Sequence, residues 1–219
     1  MTRATTDGAD GTTATRIDLS GLRVTVMGLG LHGGGLSATR FAVARGATVT
    51  VTDLRDETQL RESVDKLPSS CRVVLGRHRP EDCSETDIVI KNPAVPRSAP
   101  LLAAANAVTS DIALFLAEWG AVGPLVAVTG TKGKSTCSTV AAHILSRAYP
   151  RTKLGGNITY SPLEFVETLR PNDPVVLELS SFQLGDLAYI RAVNAPRTER
   201  LPSHLPRSIF FPTVPASVA

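Results

Sequence analysis

Residues 125–136 read LVAVTGTKGKST. A short apolar run is followed by two glycines, then by Lys-Ser-Thr at the head of a stretch that suits a helix. Over 134–148, Cys137, Val140, Ala141, Ile144 and Leu145 fall on one helical face. Strand, glycine loop and helix in this order are what a triphosphate needs. Backbone N–H groups from Gly130, Thr131, Lys132 and Gly133 through Thr136 can surround phosphate oxygens. Lys134 sets a point charge at the β- and γ-phosphates, and the Ser135 hydroxyl can ligate Mg²⁺. Val128 stands where the common phosphate loop carries its first glycine. The reading is an ATP site, and the competing one is a turn that only packs a helix on a strand.

A metal-holding carboxylate is expected at the end of a neighbouring strand. The run 175–179, VVLEL, supplies Glu178. A charge inside such a run is costly to bury without a partner, and Mg²⁺ would be one. Otherwise Glu178 faces solvent from an edge strand.

A second glycine turn lies at 28–35, GLGLHGGG, directly after the apolar run 22–27. Gly28, Gly30 and Gly33 match G-x-G-x-x-G between strand and helix, where a pyrophosphate meets a helix N-terminus. Asp53 ends the next strand candidate, 25 residues after Gly28, roughly the separation of a ribose-binding acid. The glycines suit a dinucleotide or a nucleoside diphosphate. They leave open a turn that only packs, and also an NAD-dependent oxidoreductase joined to an unrelated nucleotide-binding unit.

Around these turns, strand candidates at 22–27, 48–53, 72–75, 87–91, 125–129 and 175–179 alternate with helix candidates at 36–45, 101–107, 111–119 and 134–148. Mostly continuous apolar runs suit strands covered on both faces, and the alternation predicts α/β architecture with parallel sheets. Gly46 is expected to end the first helix and Ser110 to cap the third. The divisions expected are a flexible arm at 1–18, a Rossmann-like substrate-binding domain at 19–121, an incomplete phosphate-loop α/β central domain at 122–193, and an aberrant Pro-rich tail at 194–219.

The segments GLGLHG at 28–33, TDLR at 52–55, NPAVP at 92–96, SDIALF at 110–115, TGTKGKST at 129–136, GGNI at 155–158 and LELSSFQL at 177–184 together resemble the Mur ligases. Their order and spacing hold over about 22–193, and LELSSFQL is similar to the D-glutamate-adding branch in particular. The resemblance implies UDP on the first domain, held by Gly28, Leu29, Gly30, Leu31 and His32, with Asp53 and Arg55 near the uridine and Asn157 on the diphosphate substrate. It implies ATP and Mg²⁺ on the second, with Lys134 and Glu178 catalytic and Ser135 and Glu178 on the metal. Lys132 stands where the family commonly has Asn. The implied reaction joins D-glutamate to UDP-N-acetylmuramoyl-L-alanine through an acyl phosphate, in peptidoglycan precursor synthesis, by a monomer.

The family continues with an Asp-His pair, a lysine and a third, amino-acid-binding domain. His204, preceded by Ser203, does not match that pair. The sequence reading is therefore a truncated ligase not expected to ligate alone, and the alternative is a non-catalytic nucleotide-binding fragment.

Composition sets the outer limits. The chain has 219 residues, 42% hydrophobic and 20% charged, which is globular usage. A net charge of +3 with no basic run argues against nucleic acid as a partner. No apolar run approaches the roughly 20 residues of a membrane helix, and the start has no signal-peptide core. Three cysteines without a C-x-x-C read as free thiols. The expectation is a soluble cytoplasmic protein.

Overall fold

A computed structural model describes residues 16–119, 122–158, 160–210 and 212. Two parallel sheets carry the chain, one on each side of the connection between residues 119 and 125. The first is built from β1 (Arg23–Met27), β2 (Thr48–Thr52), β3 (Arg72–Val74), β4 (Ile88–Lys91) and β5 (Val108–Thr109), in the order β3-β2-β1-β4-β5. Between them run helices α1 (Gly34–Ala44), α2 (Glu57–Val64), α3 (Glu81–Ser84) and α4 (Pro100–Ala104), and α5 (Asp111–Trp119) follows. The second sheet comprises β6 (Leu125–Val128), β7 (Lys153–Gly156) and β8 (Val175–Glu178), in the order β6-β8-β7, with α6 (Lys134–Ala148) and α7 (Ser181–Asn194). The expected α/β class with parallel sheets is the one observed.

The physical reasons are local. Val24, Val26, Ile88, Val89 and Ile90 are buried because helices cover both faces of the first sheet. Gly46 follows α1 with φ +83° and donates to Val43 O, as expected of a helix stop. Ser110 Oγ accepts from Ala113 N–H at 3.2 Å, so it caps α5. The capping box at Asp56 and Gln59 starts α2, and that at Ser180 and Gln183 starts α7. Both boxes were legible in the sequence, yet neither helix was among the candidates. The short β5 and β7 were missed as well, being too brief to show a pattern.

Three expectations need correction. The helix candidate 101–107 is shorter, Pro100–Ala104, because Ala105 turns into extended backbone. The strand candidate 125–129 is not covered on both faces. β6 is an edge of its sheet and is mostly half-buried. The apolar face read on α6 is displaced by about one residue. Ser138 is the buried position, Ala141 and Leu145 are half-buried, and Cys137 is exposed, as are Val140 (51%) and Ile144 (63%).

The Pro-rich tail is also ordered in its described part. Residues 195–200 and 207–209 form 3₁₀ turns, and Leu201, Leu205, Ile209 and Phe210 are buried. Asn194 anchors this return. Its side chain donates to Val108 O at 2.7 Å and accepts from Val108 N–H at 3.0 Å, completing the edge strand β5. It also donates to Phe210 O at 3.2 Å. The proline rings forbid long helices and interior strands but not close packing. Of the arm expected at 1–18, residues 1–15 lie outside the described residues, as do positions 213–219, whereas Ile17 is buried, with its N–H on Glu118 at 3.0 Å and its carbonyl accepting from Arg45 at 2.8 Å. Among the described residues no helix is long and apolar enough to cross a membrane.

Candidate functional site

In the first sheet β1 lies between β2 and β4, so successive connections leave in opposite directions there. The crevice beyond the carboxyl ends of such strands is where parallel sheets take ligands. The first glycine turn lies in it. Gly28, Gly30, Asp53 and Arg55 line a cavity of about 570 Å³ with Gln59, His78 and Asn92. Gly30, Leu31, His32 and Arg55 line a neighbouring cavity of about 530 Å³, and Asn157, from the loop after β7, completes its far side. Seven of the eight residues assigned to the UDP substrate thus border one connected region. Leu29 is the exception, its side chain being fully buried in the core.

Asp53, which lines the first cavity, also shapes the turn itself. It is buried, and one carboxylate oxygen accepts Gly30 N–H at 2.9 Å while the other accepts Arg55 N–H at 2.9 Å. The carboxylate therefore sets the shape of the turn and the direction of Arg55, whose guanidinium stands 3.4 Å away. Gly35, not Gly33, gives the close helix packing. A Cβ there would lie 2.4 Å from the carbonyl oxygens of Gly28 and Leu29.

The second cavity has polar groups that lie within the quoted segments but are given no role there. Asp111, at the start of α5, accepts from the Ser161 hydroxyl at 3.0 Å and from Ile112 N–H at 2.8 Å. Burial pushes its carboxyl above the usual range, and these two bonds oppose the shift. Gln183, in the first turn of α7, lines the same cavity. Asn92 and Asp111 lie inside quoted segments, and Gln183 was legible as the fourth residue of a capping box. His78 gave no signal. Its place comes from the tertiary return of residue 77 onto Asp53 and a hydrogen bond with Thr52.

In the second glycine turn, Lys134 folds back and its ammonium donates to Gly130 O at 3.0 Å. Ser135, Thr136, Thr131 and Lys132 are exposed around it. Val128, the last residue of β6, is in register with Glu178, the last of β8, which sets the carboxylate beside the strand that feeds the loop. Glu178 is 2% exposed on the central strand, so the solvent-facing alternative does not hold. One of its oxygens accepts from the Asn157 side chain at 3.1 Å, and its carbonyl accepts Asn157 N–H at 2.8 Å. The other carboxylate oxygen is buried with no hydrogen-bond partner. A buried, unmatched anionic oxygen is what a cation would complete. Among the described residues no three His, Cys, Asp or Glu side chains gather to hold a metal. The single partnerless oxygen of Glu178 fits Mg²⁺, which takes one or two protein ligands and fills its shell from phosphates and water.

Residues 22–113 match the family described as Mur ligase MurD-like, N-terminal domain. The UDP-N-acetylmuramoylalanine–D-glutamate ligase of Borreliella afzelii (strain PKo) is 45% identical over 173 residues, covering 78% of this chain and 38% of that protein. The chain belongs to the Mur ligase family. The ligase of the same name from Roseiflexus sp. (strain RS-1) is 42% identical over 196 residues, covering 87% of this chain and 42% of its own length. The chain thus spans about two fifths of these relatives. A solved pseudomurein peptide ligase type C from Methanothermus fervidus aligns at 22% identity with a TM-score of 0.39, over 79% of this chain and 35% of that one. Mur ligase membership replaces the oxidoreductase reading that the first glycine turn alone left open.

Proposed function

We propose that this span holds the UDP-linked acceptor and ATP for the amide ligation that attaches D-glutamate to UDP-N-acetylmuramoyl-L-alanine. The observation that carries the reading is Asn157, which borders the cavity of the first glycine turn and also binds the Glu178 carboxylate beside the second. One loop therefore reaches from the first glycine turn to the carboxylate beside the second. An acceptor bound at the first turn can then extend toward a triphosphate at the second.

The chemical difficulty is bringing a carboxylate onto a polyanion. The acceptor carboxylate attacks the γ-phosphorus, the bond to the ADP oxygen breaks, and an acyl phosphate forms. The amine of D-glutamate then adds to the acyl carbon, and phosphate leaves with the electron pair of its C–O bond. The N-terminus of α1 and Arg55 favour the diphosphate of the acceptor. Lys134 exchanges its contact with Gly130 O for phosphate oxygens and lowers their negative potential as charge shifts toward the leaving ADP. Glu178 and Ser135 would hold Mg²⁺, whose bound charge would neutralise the phosphates. The reading carries with it a cytoplasmic monomer acting on dissolved small molecules.

Calorimetric titration with UDP and with ATP in the presence of Mg²⁺ tests the binding steps. Lys134→Ala is expected to lower ATP affinity at least about tenfold, the scale of a lost charge-assisted contact. Glu178→Gln is expected to flatten the Mg²⁺ dependence while leaving UDP binding intact. Unchanged ATP affinity in Lys134→Ala would remove the GKST loop from the argument. Phosphate release that requires D-glutamate supports ligation by this chain, whereas nucleotide binding without release supports a non-catalytic nucleotide-binding fragment.

A further inference from the structure

Lys91 ends β4, in register with Met27 of the central strand β1. Its side chain is 0% exposed and meets Asp186 of α7, 3% exposed, with Nζ 2.7 Å from Oδ2. The same ammonium donates to Asn92 O at 3.2 Å. Arg97 approaches the other oxygen of Asp186 at 3.8 Å. These contacts tie a first-sheet strand to a helix of the second sheet through a pair sealed from water.

The Lys91 end continues into the first nucleotide site, and the Asp186 end lies on the helix that follows Glu178 at the second. Asn92 borders both cavities and presses on the first glycine turn. A Cβ on Gly28 would lie 2.8 Å from Asn92 Cβ. Asp186 sits on α7, which starts three residues after Glu178, the carboxylate beside the strand that feeds the GKST loop. Burial pushes the Lys91 ammonium down and the Asp186 carboxyl up, and their mutual contact opposes both shifts. An apolar pair would fill this space without that cost. What the charges add is a single register between Asn92 and α7.

We propose that the Lys91–Asp186 pair couples the two nucleotide sites, so that a nucleoside diphosphate at the first glycine turn tightens binding of a magnesium nucleotide at the GKST loop. The inference rests on the two-site reading above and adds communication between the sites. A ligand that fixes Asn92 fixes α7 through the pair, and the second ligand then meets a helix already held in place.

The test uses the full chain, UDP, and ADP with Mg²⁺, in calorimetric titrations of each nucleotide with and without saturation by the other. The expected result is at least about fivefold tighter ADP binding with UDP present, and the same factor when the order is reversed. The paired variant Lys91→Met with Asp186→Leu keeps volume and removes both charges. It is expected to keep each separate affinity but to lose the coupling factor. Circular dichroism and thermal melting establish that it is folded. Should it not fold, Asp186→Asn serves as the second variant and is expected to reduce the factor. The proposal is overturned if the unmodified chain binds both nucleotides independently, or if the factor survives in a folded variant. If neither nucleotide binds the unmodified chain, the two-site reading falls and this inference falls with it.

Discussion

Gly35 shows how much one missing methyl group decides. The carbonyl oxygens of Gly28 and Leu29 occupy the space where its Cβ would be, at 2.4 Å. These are backbone atoms of the first glycine turn, so no rotamer change can relieve the clash. Gly35→Ala is therefore expected to cost about 1–3 kcal/mol, the range of overpacking in a tight site. It should also weaken UDP binding, because the atoms displaced form the turn itself. Urea denaturation together with UDP titration checks both effects. Normal stability with normal UDP affinity would mean that the turn yields without loss. Asp53 acts at the same scale. Its two oxygens hold backbone N–H groups on either side of the cavity, so it shapes the site from beneath.

At the scale of elements, α7 and the segment after it complete the first sheet. β5 is two residues long and lies at the sheet edge. Asn194 satisfies both the N–H and the C=O of Val108 and reaches Phe210 O. Asn194→Ala leaves the two Val108 groups buried without these partners. A loss on the order of 3 kcal/mol is expected, given about 1–3 kcal/mol for each unsatisfied group. A shift in the urea midpoint with unchanged slope checks it. A loss below the lower bound for one group would show that β5 does not depend on this side chain. The exposed Val140 and Ile144 follow from the same kind of accounting. α6 packs on the sheet through Ser138, Ala141 and Leu145, which leaves the adjacent apolar positions outside that contact.

At the scale of the whole molecule, the two sheets are joined by polar as well as apolar contacts. Phe115 meets Phe165 edge-on at 6.1 Å. Arg45 is held between Glu118 at 2.7 Å and Glu167 at 2.5 Å. Asp111 reaches across to Ser161. Because burial raises the Asp111 carboxyl above its ordinary value of 3.8, the folded state keeps its proton at a pH where the unfolded chain has lost it. Stability from this group is thus fully present below the unfolded value and falls as pH rises through the folded one. Asn at this position carries no such dependence. The stability of Asp111→Asn relative to the unmodified chain is expected to improve as pH rises from 4 toward 8. Denaturation at several pH values checks this, and parallel profiles would show that the carboxylate ionises at no cost.

The two glycine turns, their preceding strands and the helices after them could be read in the sequence because each is a local pattern. A continuous apolar run, glycines and a helical face need only nearby residues to be recognised. The same locality made Lys134, Ser135, Asp53 and Gly30 visible as candidates. What the sequence could not show is which distant residues meet. Asn157 lies between Glu178 and the first turn, Lys91 meets Asp186 across 95 positions, and His78 enters the first cavity through a return onto Asp53. No period or spacing encodes such pairings, because they are set when the sheets and helices pack. Local pattern alone was enough to place two glycine turns on parallel α/β units. Packing of distant elements brings Asn157 from the edge of the first cavity onto the Glu178 carboxylate, and it covers the apolar side chains of the proline-rich segment beside β5, because such contacts form only when sheets and helices meet.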